Sequence, residues 1–264
     1  MNIMITGASR GIGLATAKQL AAKGHSVGLF DINSDTLEDA VEDKAFAKAQ
    51  KQQRIIHGYL DVTKPDDWEN AISQMIDAFG SIDTLINNAG VLVTGILPST
   101  SLERQLALVD INCKGVLIGC HKLAPYLADA DNGKIINLSS ASAIYGQSEI
   151  APYSASKFFV RGLTEALNVE YESLGIKVVD VMPLWVKSDM TKGESVTSIE
   201  RLGVNLSVDD VAKTLCKLTC RPNSKINCTH YPVGTPAKVL QKLAQVTPDP
   251  MVRWLNNKMS AKQS

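Results

Sequence analysis

An α/β fold built on one parallel, doubly wound sheet is predicted by three features of the chain. Short apolar runs alternate with longer stretches of helical periodicity from the first residues to about residue 233. Each short run is nearly continuously apolar, which marks strands covered on both faces. The residues able to bind or react fall where those runs end, at Gly7, Asp31, Asp61, Asn88, Ser140 and Pro183. Right-handed crossovers bring such strand ends to one edge, and ligands of open parallel sheets bind there.

Taken in order, the first strand spans residues 2–6 and runs directly into Gly7, Ala8, Ser9, Arg10, Gly11, Ile12 and Gly13. Leu14, Ala17, Leu20 and Ala21 then recur at helical spacing until Lys23 and Gly24, a C-terminal stop. A second strand over 26–30 ends on Asp31, completing a βαβ unit of Rossmann type. A helix over 34–52 follows, with Ser34 as its N-cap, then a strand over 54–60 ending at Asp61. The helix over 65–79 is stopped by Gly80, and the strand over 84–86 leads into Asn87, Asn88, Ala89 and Gly90. Residues 102–127 read as one long helix with Pro125 near its end. The strand at Ile135, Ile136 and Leu138 stops at a serine pair, and the next helix starts near Tyr153 and runs to about Leu174. A strand over 177–181 reaches Pro183. Residues 184–206 loosen into a polar stretch expected to be a mobile substrate loop over the site. Ser207 to Asp210 resembles a capping box for a helix to about Leu218. A last strand is expected over 226–231, and residues 235–264 form a helical tail broken by Pro248 and Pro250. No repeat or linker divides the chain, so residues 1–264 are expected to form a single domain.

Composition narrows the function classes. The chain has 264 residues, 45% hydrophobic and 20% charged, with 27 basic and 27 acidic side chains that cancel. No basic field exists to recruit nucleic acid or an anionic membrane. The first strand begins at once, and no leader or bilayer-length apolar run is visible, so a cytoplasmic protein is expected. Five scattered cysteines fit reduced thiols. Cys216, Cys220, Cys228 and His230 suggest a metal, but their helical spacing beside Val211, Leu215 and Leu218 favours core packing, and no metal is expected.

The motifs point to a dinucleotide and to proton transfer. Glycines at 7, 11 and 13 allow a tight turn and bring a diphosphate close to backbone amides at a helix N-terminus. Asp31 would accept hydrogen bonds from an adenosine ribose and repel a 2′-phosphate, which favours NAD over NADP. Arg10 argues the other way, since its guanidinium would hold that phosphate. Tyr153 and Lys157, four apart on a helix, share one face. A cation there favours the phenolate and is expected to lower the tyrosine pKa. A phenol so tuned exchanges protons with an alcohol or carbonyl oxygen, which Ser140 could also hydrogen-bond.

TGASRGIG at 6–13, Asp61-Val62, NNAG at 87–90, Asn112, Ser140 and Tyr153-x-x-x-Lys157 occur in the order and spacing of the short-chain dehydrogenase/reductase family. The chain resembles that family to about residue 233. The resemblance implies that Tyr153 is the general acid/base and that Lys157 lowers its pKa and holds the nicotinamide ribose. It implies that Ser140 orients the substrate oxygen and that Asn112 supports a water-linked proton path to Lys157. Gly7, Ser9, Arg10, Gly11, Ile12 and Gly13 would bind the cofactor, and Asp61 and Val62 would hold its adenine. Asn88, Ala89 and Gly90 would line the cofactor, and Pro183, Val186 and Ser188 would meet the carboxamide. The chain departs from the family at Leu184, where glycine is common, at Trp185, and at Ser188, where threonine is usual. These changes bear on pocket shape and substrate size.

The expected activity is hydride transfer between NAD and an apolar or mid-sized secondary alcohol or ketone. An NADPH-dependent carbonyl reductase on the same scaffold is the nearest alternative. A non-catalytic dinucleotide sensor would not need the activated phenol. A homodimer or homotetramer packed through 102–127 and 153–174 is expected by family habit.

Overall fold

The computed structural model describes residues 1–193, 196–223, 228–244 and 247–260. The chain opens with β1 (Asn2–Thr6), α1 (Gly11–Ala22), β2 (Ser26–Asp31), α2 (Ser34–Val41), α3 (Ala47–Lys51) and β3 (Ile55–Tyr59). It continues through α4 (Pro65–Phe79), β4 (Thr84–Asn87), α5 (Leu102–Val109), α6 (Val116–Ala128), β5 (Lys134–Leu138), α7 (Ala151–Glu170) and β6 (Lys177–Pro183). Beyond the sheet edge lie β7 (Val186–Lys187), α8 (Thr197–Leu202) and β8 (Leu206–Ser207). The rest is α9 (Val208–Cys220), β9 (His230–Val233), α10 (Thr235–Ala244) and α11 (Asp249–Ser260).

Seven strands form one parallel sheet in the order β3-β2-β1-β4-β5-β6-β9. The order reverses between β1 and β4, which opens a crevice above that pair. Alternation along the strands sends Ile3, Ile5 and Leu29 into one buried layer, with Leu20 of α1 and Leu215 of α9. Met4, Phe30 and Leu85 enter the opposite layer with Trp68, Leu123 and Val160. A third apolar cluster sits over the strand ends, where Ala141, Ile144, Tyr145 and Ile150 meet Met182, Leu184, Trp185 and Val196. Among the described residues, no helix is long and apolar enough to cross a membrane.

Four expectations need correction. The helix expected over 34–52 is capped by Asn33, which accepts from Thr36 N at 3.1 Å, and it ends at Val41. Asp43 then accepts from Ala45 N at 2.8 Å, starting a 3₁₀ turn before α3. The long helix over 102–127 is interrupted by a π turn, Asp110–Gly115. The described residues of the 184–206 segment hold more regular structure than its polarity implied, because β7 and β8 pair in parallel and α8 packs into the third cluster. The last strand begins at His230; residues 226 and 227 lie outside the described residues. The capping box at Ser207 and Asp210 is formed as expected.

Candidate active site

The glycine turn is built by close packing. Gly7 has φ +64, and a Cβ there would stand 2.7 Å from Ala89 Cα. A Cβ on Gly13 would lie 2.3 Å from the Gly7 carbonyl oxygen. Arg10 precedes α1 in extended conformation with no side-chain cap, so amides of the first turn face the crevice without a protein acceptor from that residue. Such a cradle fits a diphosphate. Asn88 holds the turn from the next strand, donating Nδ2 to Thr6 O at 2.9 Å and Gly7 O at 2.7 Å.

Asp31 is fixed by two backbone donors, Ser9 N to Oδ2 and Asn33 N to Oδ1, each at 3.0 Å. A carboxylate held this way keeps lone pairs free for ribose hydroxyls. Asp61 accepts from Thr63 N at 2.9 Å and Thr63 Oγ1 at 2.7 Å, while Trp68 Nε1 donates to Val62 O at 3.0 Å.

One cavity of about 300 Å³ runs from this cradle to the end of β5. It brings together Gly7, Arg10, Gly11, Ile12, Asp31, Asp61, Val62, Asn88, Ala89 and Gly90 with Ser140, Tyr153, Lys157, Pro183, Val186 and Ser188. Ser9, Gly13 and Asn112 do not line it. Ser9 acts on Asp31, and Gly13 packs under the turn. Asn112 is fully buried behind the wall, where Oδ1 accepts from Val91 N at 2.9 Å. Its Nδ2 donates to Val91 O at 3.0 Å and to Ser156 Oγ at 3.2 Å. The π turn rotates Asn112 inward to these partners. A Cβ on Gly90 would meet Asn112 Oδ1 at 3.2 Å and Lys157 Nζ at 3.7 Å, so the three groups converge.

Lys157 Nζ lies 5.5 Å from the Tyr153 ring centroid and donates to Leu138 O at 2.8 Å. The expected fall of the tyrosine pKa is not what this geometry produces. Burial pushes the phenol up to about 12, and a hydrogen bond with Ser140 opposes that rise. Burial likewise brings Lys157 down to about 8. Desolvation dominates because the phenol is buried, and the same burial disfavours the ammonium whose charge would favour the phenolate. The arrangement keeps a proton on the phenol and an ammonium beneath it near neutral pH.

Sequence reasoning missed much of the other end of the cavity. Leu92, Gln147, Ile150, Leu184, Met190 and Thr191 line it, together with Trp185. Thr191 Oγ1 donates to Val186 O at 2.7 Å and accepts from Ser188 N at 3.2 Å, bracing that wall. Of these, Leu184 and Trp185 carried a signal in the sequence, as departures just after Pro183.

The family model for short chain dehydrogenase matches residues 1–198. A 3-alpha-(or 20-beta)-hydroxysteroid dehydrogenase of Mycobacterium bovis is 34% identical over 188 residues, 71% of this chain and 70% of the relative. The crystal structure of levodione reductase superimposes with a TM-score of 0.79 at 26% identity, covering 90% of this chain and 97% of the other. A 3-ketoacyl-(acyl-carrier-protein) reductase from Brucella melitensis, complexed with NADH, gives 0.78 at 26% identity over 88% and 96%. Sequence and fold agree, and the chain belongs to the short chain dehydrogenase family as an NAD(P)-dependent oxidoreductase of alcohol and carbonyl groups.

Proposed function

We propose that the chain interconverts a neutral, apolar, mid-sized secondary alcohol and its ketone, with NAD as the preferred dinucleotide and Tyr153 as general acid/base. The observation that carries this reading is the single cavity that holds the glycine cradle and Asp31 at one end and Ser140, Tyr153 and Lys157 at the other. The nicotinamide, when bound, supplies or accepts the hydride. In reduction, Tyr153 gives its proton to the substrate oxygen, Ser140 hydrogen-bonds that oxygen, and the Lys157 ammonium stabilises the phenolate left behind. Asn112 orders the backbone of Val91 and the Ser156 hydroxyl beside Lys157, which supports a proton path to that amine.

The apolar wall of Leu92, Ile150, Leu184 and Trp185 favours an apolar substrate, and Asp189 at that end disfavours an anion. Leu102, Leu106 and Val109 on α5, with Phe158, Phe159 and Val169 on α7, expose apolar surface that supports a homodimer or homotetramer. Residues 1–264 act as one cytoplasmic domain with no membrane contact and no nucleic-acid partner.

The test is a fluorescence titration with NADH and NADPH, then a panel of secondary alcohols from 2-propanol to a steroid alcohol. NADH is expected to bind about tenfold more tightly than NADPH. Preference for NADPH would make Arg10 the selector in place of Asp31. Binding of neither by folded protein would overturn the reading.

A further inference from the structure

We infer that Glu149 is a positioning residue that latches the substrate wall to the catalytic loop. It lies four residues before Tyr153, in the turn that enters α7. It is only 8% exposed, and its φ of +66 falls in the left-handed region that non-glycine residues rarely adopt. That conformation gives one residue two remote partners. Its carbonyl oxygen accepts from Gly95 N at 2.7 Å, joining the loop after β4. Its carboxylate Oε2 accepts from Thr197 N, also at 2.7 Å, at the first residue of α8.

The second bond substitutes for a missing local cap. Val196 stands at the N-cap of α8 and has no side-chain acceptor to offer. Glu149 provides one from 48 residues away. A serine or aspartate at 196 would satisfy an N2 or N3 amide of α8 locally, but it would leave the helix unattached to the catalytic loop. With the remote cap, α8 holds Val196 and packs Ile199 against the cluster that contains Ile144, Ile150, Leu184 and Trp185. Three of those residues, Ile150, Leu184 and Trp185, line the substrate end of the cavity. The carboxylate therefore sets where the substrate wall stands relative to Tyr153. Two polar links back the same wall from the tail, Arg201 to the Lys258 carbonyl and Asn256 to the Gly146 carbonyl.

The latch rests on the dehydrogenase reading only where turnover is measured, and a substrate-free readout separates the two. Glu149→Gln keeps an acceptor oxygen, Glu149→Ala removes it, and Glu149→Gly removes both the acceptor and the backbone strain. Trypsin cleavage at the exposed Lys187 and Lys192 reports the wall directly. The Ala and Gly variants are expected to be cut about tenfold faster than the parent, with NADH binding unchanged and the Gln variant near the parent. With the best alcohol of the panel, KM is expected to rise about tenfold while kcat stays within about twofold. Parental cleavage rates in the Ala and Gly variants would overturn the latch. So would a Gln variant that behaves like Ala, or losses of kcat and NADH affinity as large as the rise in KM. If the parent neither binds NADH nor oxidises any alcohol, the dehydrogenase reading fails, and trypsin still decides the latch.

Discussion

The two ends of the cavity are built on opposite principles. At the dinucleotide end, backbone packs on backbone, Gly7 against Ala89 and Gly13 against the Gly7 carbonyl, and the Asp31 carboxylate is held by the amides of Ser9 and Asn33. A Cβ on Gly7 or Gly13 would strike main-chain atoms that cannot move aside. At the substrate end, apolar side chains from the 141–150 loop, the 184–206 segment and α10 pack on one another, pinned by a few long-range polar contacts. The first arrangement demands particular residues at particular positions. The second demands only volume and apolarity, so it can change with substrate while the chemistry stays in place.

The largest expected effect follows from the rigid end. Gly13→Ala places a methyl 2.3 Å from a main-chain oxygen, and NADH affinity measured by fluorescence is expected to fall at least about a hundredfold. Gly146→Ala, at the substrate end, meets nothing within 4 Å and should leave that affinity unchanged. Equal losses in both would erase the contrast. An intermediate effect belongs to the adaptable end. Trp185→Ala widens the pocket, so kcat/KM for a bulky over a small alcohol is expected to rise about tenfold, with NADH binding unaltered. A change in NADH affinity instead would mean that Trp185 serves the dinucleotide.

The smallest effect is a pH dependence where the two ends meet. Burial holds Lys157 at about 8, so its ammonium is present below that pH and lost above it. Tyr153, pushed up to about 12, keeps its proton throughout this range. Ketone reduction should therefore fall as the pH rises through about 8, in step with the charge that stabilises the departing proton's phenolate. Lys157→Arg keeps its charge and should remove the fall while lowering the maximum rate. A flat parental profile from pH 7 to 10 would contradict this assignment.

What could be read from sequence follows the same division. Glycines 7, 11 and 13, Asp31 and the Tyr153–Lys157 pair were legible because steric necessity and helical spacing leave few alternatives. The structure adds contacts that spacing does not announce: Asn88 braces the glycine turn as well as lining the cavity, the Ser9 amide holds Asp31, and Asn112 lies buried behind the wall. The π turn at Asp110–Gly115 was invisible because its residues keep helical periodicity on both sides. The substrate wall was illegible because its partners are far apart in the chain. Glu149 meets Thr197 and Gly95, and no local pattern marks such long-range contacts.

The most direct test of the central claim is Tyr153→Phe, assayed for NADH binding and for alcohol oxidation together. The phenyl ring keeps the packing and removes the hydroxyl proposed to exchange a proton with the substrate oxygen. Binding should stay within about twofold of the parent while turnover falls by about a thousandfold or more. Turnover surviving near the parental rate would show that the proton travels another way, and the assignment of Tyr153 would fall.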